Sequence, residues 1–167
     1  MRKLILAAAL AVLAATAAGA EEKGPLVEIY MPKLCLACID WGEHLINNGF
    51  QVKYLETADM EAVKRRFKVP REVESNLTAR VGGYFVEGHV PAQDIRDLLA
   101  EKPKARGLAV PGLPLGAPGL EGESSNSLNC QTGCTVLDPN AKHEPRRQMY
   151  ETLLVTPQGK TRTYARH

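Results

Sequence analysis

The stretch LVEIYMPKLCLACIDW, residues 26–41, combines the pattern of a strand with that of the first turns of a helix. Leu26–Tyr30 alternates in polarity and is rich in residues that favour strands, which predicts a first β-strand. From Cys35 onward, apolar residues recur at near-helical spacing up to a stop signal near Gly49, which predicts a helix. Cys35 and Cys38, three positions apart, are therefore expected where a strand leads into a helix.

The pattern continues with three more strands and two more helices. The predicted elements are a strand over Gln51–Leu55, a short helix from Asp59 to Phe67, a hairpin of Thr78–Val81 and Tyr84–Val86 around Gly82-Gly83, and a helix that begins near Pro91 and ends before Pro103. This β-α-β-α-β-β-α order predicts an α/β fold of the thioredoxin-like (glutaredoxin-like) type for residues 21–104, with the cysteine pair in the loop between the first strand and the first helix.

Residues 105–167 differ in composition from the preceding part of the chain. Ala109–Gly122 is dense in proline and glycine, which predicts an irregular loop. A polar segment follows, and it contains the other two cysteines, Cys130 and Cys134. Two short β-rich runs at the C-terminus predict a closing hairpin. We therefore expect an irregular C-terminal extension that packs on the core and ends in a β-hairpin.

The first twenty residues have the pattern of a secretory signal peptide. Arg2 and Lys3 precede an uncharged, mostly alanine run, and an A-x-A motif ends at Ala20. The run is shorter and less apolar than a transmembrane helix requires. We expect cleavage after Ala20, export to the periplasm and no membrane insertion of the mature protein.

The charges of the chain are balanced. It contains 21 basic and 19 acidic residues, and two of the basic residues lie in the predicted signal peptide. Nucleic acids and anionic lipids bind to basic protein surfaces, and a chain without net charge offers no such surface. We therefore expect no binding of nucleic acid. We also expect a monomer.

The cysteines are the residues with the most distinctive chemistry. The N-terminus of a helix favours a thiolate over a thiol, so Cys35 should be the more reactive member of its pair. Four thiolates without a carboxylate cluster suit Cu(I) or Zn(II) and disfavour calcium or magnesium.

Two other uses of the cysteines remain open. Cys35 and Cys38 could serve as the nucleophile and the resolving thiol of a metal-free thiol:disulfide oxidoreductase. Alternatively, the two local pairs could be structural disulfides. Thioredoxin-like oxidoreductases place a proline beside this motif, just before the hairpin, and Leu77-Thr78 occupies that position here. This difference favours a metal site.

The remaining candidate side chains are histidines and large apolar residues. His89, after the hairpin, and His143, in the polar extension, are candidate metal ligands, although such histidines more often have packing or solvated roles. His44 is expected at the surface of the first helix. Trp41 is expected to pack that helix onto the sheet, and Met31 is expected in the core.

Several longer runs are more specific than the cysteine spacing. They are the cysteine motif followed by Trp41, GGYFVEGHVPAQDI at residues 82–95, ARGLAVPGLPLGAPGLEG at residues 105–122, and YARH at residues 164–167. In these runs the chain resembles the CopG-like periplasmic proteins of copper resistance, known as domain of unknown function 411. The resemblance implies a thioredoxin fold and a thiolate-bridged copper cluster that converts between Cu(I) and Cu(II). It also implies copper ions and periplasmic copper efflux or electron-transfer proteins as partners, with zinc as a less favoured metal.

The chain departs from this family at several positions of soft ligands. Ala37 stands at the middle thiol of the usual C-x-C-C motif. The usual S-C-H-T run reads SNLT at residues 75–78, so that Asn76 and Leu77 replace a cysteine and a histidine. Leu113 and Leu120 stand where methionines are usual. The remaining cysteines lead us to predict a copper site formed by Cys35, Cys38, Cys130 and Cys134, with His89 and His143 as further candidates.

Overall fold

The structure, a computed structural model, describes residues 24–120 and 148–167. The predicted signal peptide, Cys130, Cys134 and His143 lie outside these residues. In chain order the elements are β1 (Leu26–Met31), α1 (Leu36–Asn47), β2 (Gln51–Glu56), α2 (Met60–Phe67), a 3₁₀ turn (Arg71–Val73), β3 (Thr78–Val81), β4 (Tyr84–Glu87), α3 (Ala92–Glu101), β5 (Gly107–Ala109), β6 (Glu151–Val155) and β7 (Thr161–Arg166).

The strands of these described residues form one seven-stranded sheet in the order β2-β1-β3-β4-β5-β6-β7. The pairs β1–β2 and β4–β5 are parallel, and the other neighbours are antiparallel. This confirms a mixed α/β fold with the predicted element order up to α3. No helix in the described part of the chain is long and apolar enough to cross a membrane.

Local signals set the bounds of the elements. Asp59 caps α2 by accepting a hydrogen bond from the Ala62 backbone N–H at 2.8 Å, as expected of an N-cap aspartate. Gly82 and Gly83 connect β3 to β4 with φ angles of 53° and 91°, which suit the left-handed turn of a tight hairpin. The helix and hairpin predicted from these residues are confirmed.

Strand β5 was not predicted from the sequence. It is buried, and it joins β4 to the C-terminal hairpin by pairing with both β4 and β6. A Cβ atom at Gly107 would overlap the Phe85 carbonyl oxygen, so only glycine allows the two strands to approach this closely. A single sheet therefore runs across the predicted boundary at residues 104/105.

The core lies between the first helix and the central strands. The inward side chains of β1 and the Trp41 side chain on α1 are buried. The Trp41 Nε1–H donates a hydrogen bond to the Val90 carbonyl at 2.8 Å, which satisfies the one polar group of this ring inside the core. The expected packing roles of Trp41 and Met31 are confirmed.

Two histidines have contacts that their sequence positions do not reveal. His44 is half-buried, and its Nε2 atom accepts a hydrogen bond from the Ala92 backbone N–H at 3.1 Å. The expectation of a surface His44 was therefore wrong, because the side chain caps the first turn of α3. The Nε2 atom of His167 lies 2.9 Å from the buried Asp94 carboxylate, which also accepts a hydrogen bond from Thr152. These hydrogen bonds hold the C-terminal residue His167 against α3.

An ion pair is buried where α2 faces the hairpin. The Lys64 ammonium group donates to the Glu87 carboxylate, to Thr78 Oγ1 at 3.2 Å and to the Ser75 carbonyl at 3.0 Å. The carboxylate also accepts from the Ser75 N–H at 2.6 Å and from the Thr78 hydroxyl at 2.6 Å. A buried charge is tolerated only when it is paired and hydrogen-bonded in this way. The pair therefore fixes the loop at residues 75–78.

The first prediction concerns this ion pair. Replacing Lys64 with methionine leaves the Glu87 carboxylate buried without its cation, so the free energy of unfolding at pH 7 should fall by about 3–5 kcal/mol. Urea denaturation measures this loss. Burial raises the pKa of Glu87, and the nearby lysine opposes that rise. A carboxyl group with a raised pKa stabilises the fold at low pH and loses this contribution as the pH increases. The loss in Lys64→Met should therefore be smaller at pH 5 than at pH 7.

The matched control is Arg65→Met on the same helix. Arg65 pairs with Glu61 at 3.0 Å on the exposed face, where ion pairs contribute little. The free energy of unfolding should change little. Similar losses for the two variants, or a Lys64→Met loss that does not depend on pH, would contradict the prediction.

Candidate functional site

The first cysteine pair lies at the N-terminus of α1, as predicted. Cys35 is the N-cap residue, and Cys38 lies in the first turn, with the two Cα atoms 5.2 Å apart. Their sulfur atoms form a disulfide. Cys38 is fully buried, whereas Cys35 is half-buried. A reagent from solvent therefore reaches the pair on the Cys35 side.

The two residues that flank Cys35 in the chain are exposed leucines. Leu34 is 91% exposed and has a φ angle of 58°, a conformation that is uncommon for a residue with a side chain. Leu36, on the other side of Cys35, is 48% exposed. Cys35 thus has an exposed leucine on each side of it in the chain.

Asn76 lies over both sulfur atoms. Its Nδ2 atom is 3.7 Å from the Cys35 Sγ and 3.7 Å from the Cys38 Sγ. The loop at residues 75–78 presents this side chain, and the ion pair between Lys64 and Glu87 holds the loop in place. Asn76 directly precedes Leu77-Thr78, the position where thioredoxin-like oxidoreductases place a proline. The sequence alone predicted no contact between Asn76 and the sulfurs.

His89 is fully buried behind Asn76. Its Nδ1 atom lies 2.8 Å from the Pro118 carbonyl oxygen, and its Nε2 atom lies 3.2 Å from the Asn76 Oδ1. Burial lowers the pKa of His89 to about 4, although the hydrogen bond to Pro118 opposes this shift, so the ring is neutral at pH 7. Both ring nitrogens already have close neighbours. His89 could therefore bind a metal only by giving up one of these contacts.

The proline-glycine loop packs against the start of α1. Ala117 and Leu120 are buried in one cluster with Ala37, and Leu113 packs against that cluster. A Cβ atom at Gly119 would lie 2.8 Å from the Ala37 carbonyl oxygen, so glycine allows the loop to approach the helix closely. Three positions at which we expect the chain to differ from the resembled family therefore lie close together: Ala37, Leu113 and Leu120.

The structure brings together only part of the predicted ligand set. Cys35, Cys38 and His89 lie around Asn76, whereas Cys130, Cys134 and His143 lie outside the described residues. Among residues 24–120 and 148–167, no group of three or more histidine, cysteine, aspartate or glutamate side chains could hold a metal ion. The four-cysteine site remains a prediction.

Comparisons with known proteins agree with this architecture. The family model described as "Protein of unknown function, DUF411" matches residues 73–120. No curated protein matches the chain. A solved structure named "Copper resistance protein copG- Form 2" is 34% identical, with a TM-score of 0.70, and the match covers 86% of this chain and 98% of that one. The Form 1 structure is also 34% identical, with a TM-score of 0.69 and coverages of 85% and 96%. An identity of this level over nearly the whole of the matched chains shows that this protein belongs to the CopG-like DUF411 family.

Proposed function

We propose that this protein is a periplasmic copper-binding protein of copper resistance, which binds Cu(I) through cysteine thiolates and converts it to and from Cu(II). The proposed ligands are Cys35, Cys38, Cys130 and Cys134, and His89 and His143 are further candidates. The proposal includes export through the signal peptide, a thioredoxin-like core at residues 21–104 and the extension at residues 105–167.

The observation that carries the proposal is the position of the first cysteine pair. Two sulfurs lie at a helix N-terminus, and the half-buried Cys35 side of the pair is within reach of solvent. The helix dipole favours the thiolate forms that a soft metal requires. Thiolates select Cu(I) or zinc over hard cations. The relatives named for copper resistance support copper rather than zinc as the metal.

The disulfide adds a condition to this proposal. Sulfurs that are joined to each other cannot act as thiolate ligands, so copper binding by Cys35 and Cys38 requires their reduction. An oxidising compartment favours the disulfide. Metal loading therefore depends on the oxidation state of the pair as well as on the copper concentration.

A metal-free thiol:disulfide oxidoreductase is the second candidate. The accessible Cys35 and the buried Cys38 match the usual division between a nucleophilic and a resolving thiol. However, Asn76 lies over the sulfurs, where a partner peptide would have to approach the motif. This side chain makes a general disulfide exchanger the weaker interpretation.

The second prediction tests the ligands. The reduced protein, without oxygen, is titrated with Cu(I) in competition with a strong chelator such as bathocuproine disulfonate. Changing Cys35 and Cys38 to serine should lower the affinity by at least about tenfold, because it removes two direct metal bonds. Changing Cys130 and Cys134 to serine should lower it by at least about tenfold for the same reason.

The control variant is Met149→Leu. Met149 is 91% exposed and is another soft sulfur in the described chain, but the proposed site does not include it. Its change should leave the Cu(I) affinity unaltered. If the Cys130 and Cys134 double variant binds as tightly as the unchanged protein, the shared site is wrong. If the protein binds no copper but reduces insulin disulfides, the oxidoreductase is the correct function.

The third prediction concerns the two sulfurs themselves. When the reduced protein is treated with a limiting amount of iodoacetamide, Cys35 should be alkylated at least about ten times faster than Cys38, because Cys35 is only half-buried and lies at the helix N-terminus, whereas Cys38 is fully buried. Mass spectrometry of the digested protein measures both rates. Equal rates would show that reduction opens the first turn of α1 and exposes both sulfurs.

A further inference from the structure

We propose that Asn76 is a specificity-determining residue for the Cys35–Cys38 disulfide, because its side chain admits small thiols to the pair and excludes the thiols and disulfides of other proteins. The pair is therefore reduced by low-molecular-weight thiols, and once reduced it is protected from exchange with proteins. This role rests on the proposed function in one respect, since the reduced sulfurs are taken to be the form that binds copper.

The two sulfurs differ in their access to solvent. Cys38 is fully buried, whereas Cys35 is half-buried. Thiol–disulfide exchange proceeds by attack of a thiolate on one sulfur of the bond, and its rate depends on access to that sulfur. The attack is collinear with the S–S bond, from the side opposite the leaving sulfur. A reductant must therefore approach beyond the Cys35 Sγ and displace the sulfur of Cys38.

Asn76 lies beside the S–S bond and not at its end. Its Nδ2 atom is 3.7 Å from the Cys35 Sγ and 3.7 Å from the Cys38 Sγ. An atom at equal distances from both sulfurs lies on the plane that bisects the bond, whereas the line of attack continues beyond the Cys35 Sγ. Asn76 therefore does not obstruct a small thiol that attacks Cys35.

A protein thiol approaches with a backbone attached on both sides of its cysteine. Each residue of an extended chain adds roughly 3.3 Å, so two residues on each side of the attacking cysteine extend roughly 7 Å in both directions. A partner backbone that crosses the pair meets the Asn76 side chain, which already lies against both sulfurs. The partner can place its sulfur on the line of attack only after this side chain turns away.

Neighbouring groups hold Asn76 in place. Its Oδ1 atom lies 3.2 Å from the Nε2 atom of the buried His89 and 3.3 Å from the Ser75 Oγ. The Ser75 backbone N–H donates to the buried Glu87 carboxylate at 2.6 Å, and the Leu77 carbonyl accepts a backbone hydrogen bond at 3.0 Å. Hydrogen bonds on both sides of Asn76 therefore prevent the loop from moving to make room for a partner.

The reduction that we assign is a two-step exchange. The sulfur of a small thiolate attacks the Cys35 Sγ, the S–S bond breaks, and its electron pair leaves with the Cys38 sulfur, which takes up a proton. A second small thiolate attacks the sulfur of the bound reductant, and the Cys35 sulfur leaves with the electron pair and takes up a proton. Two electrons and two protons thus pass from two small thiols to the pair, and the two thiols become one disulfide.

The same obstruction acts in both directions. Reduction by a protein thiol and oxidation by the corresponding protein disulfide pass through the same transition state. A side chain that raises the barrier of one therefore raises the barrier of the other. In an oxidising compartment, slow exchange with protein disulfides protects the reduced sulfurs that the proposed copper site requires.

The fourth prediction compares a small and a large reductant in the absence of metal. All proteins carry Cys130→Ser and Cys134→Ser, so that no other thiol of the chain exchanges with the pair. The reductants are dithiothreitol and reduced thioredoxin, which are both dithiols and differ in size. Samples are alkylated at intervals, and mass spectrometry counts the free thiols. Asn76→Ala should raise the rate constant for thioredoxin by at least about tenfold and that for dithiothreitol by less than about twofold, because only the protein meets the removed side chain.

Further variants separate the size of the side chain from its hydrogen bonds. Asn76→Ser also shortens the side chain, so it should accelerate thioredoxin as Asn76→Ala does, and it replaces that variant if alanine prevents folding. Asn76→Leu keeps a branched side chain that forms no hydrogen bonds, and its rate constant for thioredoxin should stay within about threefold of the unchanged protein. The matched control is Glu74→Ala, because Glu74 is exposed two residues before Asn76. It should leave both rate constants unchanged.

Several outcomes would overturn the proposal. They are an unchanged thioredoxin rate constant in the shortened variants, an equal acceleration with both reductants, and an acceleration in Glu74→Ala or Asn76→Leu as large as that in Asn76→Ala. Titration of the reduced proteins with Cu(I) separates this role from the proposed function. Discrimination between the reductants without copper binding would keep the role of Asn76 and reject the proposed function, and copper binding without discrimination would do the reverse.

Discussion

The buried ion pair between Lys64 and Glu87 is the interaction on which the site depends. A carboxylate in the core is tolerated only while its partners remain in place, and two of them are Ser75, in the loop that faces the disulfide, and Thr78, the first residue of β3. The loop cannot move away without leaving a charge unpaired. The position of Asn76 over the sulfurs is thus determined by residues that do not contact the sulfurs.

Hydrogen bonds from buried side chains also fix the proline-glycine loop on the other side of the disulfide. The proline-glycine loop has little regular structure of its own, so side chains of the core must satisfy part of its backbone. His89 bonds to the Pro118 carbonyl from inside the core, and Ser75 bonds to the Gly112 carbonyl from the neighbouring loop. Buried backbone groups require such partners. The irregular segments around the cysteines are therefore fixed in place by long-range side-chain contacts.

The sequence predicted the features that local patterns determine. The cap at Asp59 and the position of the cysteine pair at the start of α1 were correct, because each depends on a few neighbouring residues. The short strand at Gly107–Ala109 was missed, since three small residues form a strand only through partners elsewhere in the chain. The contact of His44 with α3 and the approach of Asn76 to the sulfurs were missed for the same reason. Both join residues about forty or more positions apart.

Asn76, where the resemblance to the family leads us to expect a cysteine, places a carboxamide rather than a thiol beside the pair. A third thiolate would compete for a soft metal and would repel the other two when all are reduced. A carboxamide has no basic nitrogen to offer a metal, but it donates to negative sulfur and cannot be oxidised. A metal held by Cys35 and Cys38 would need further ligands from elsewhere in the chain to complete its coordination. The proposed contribution of Cys130 and Cys134 follows from this requirement.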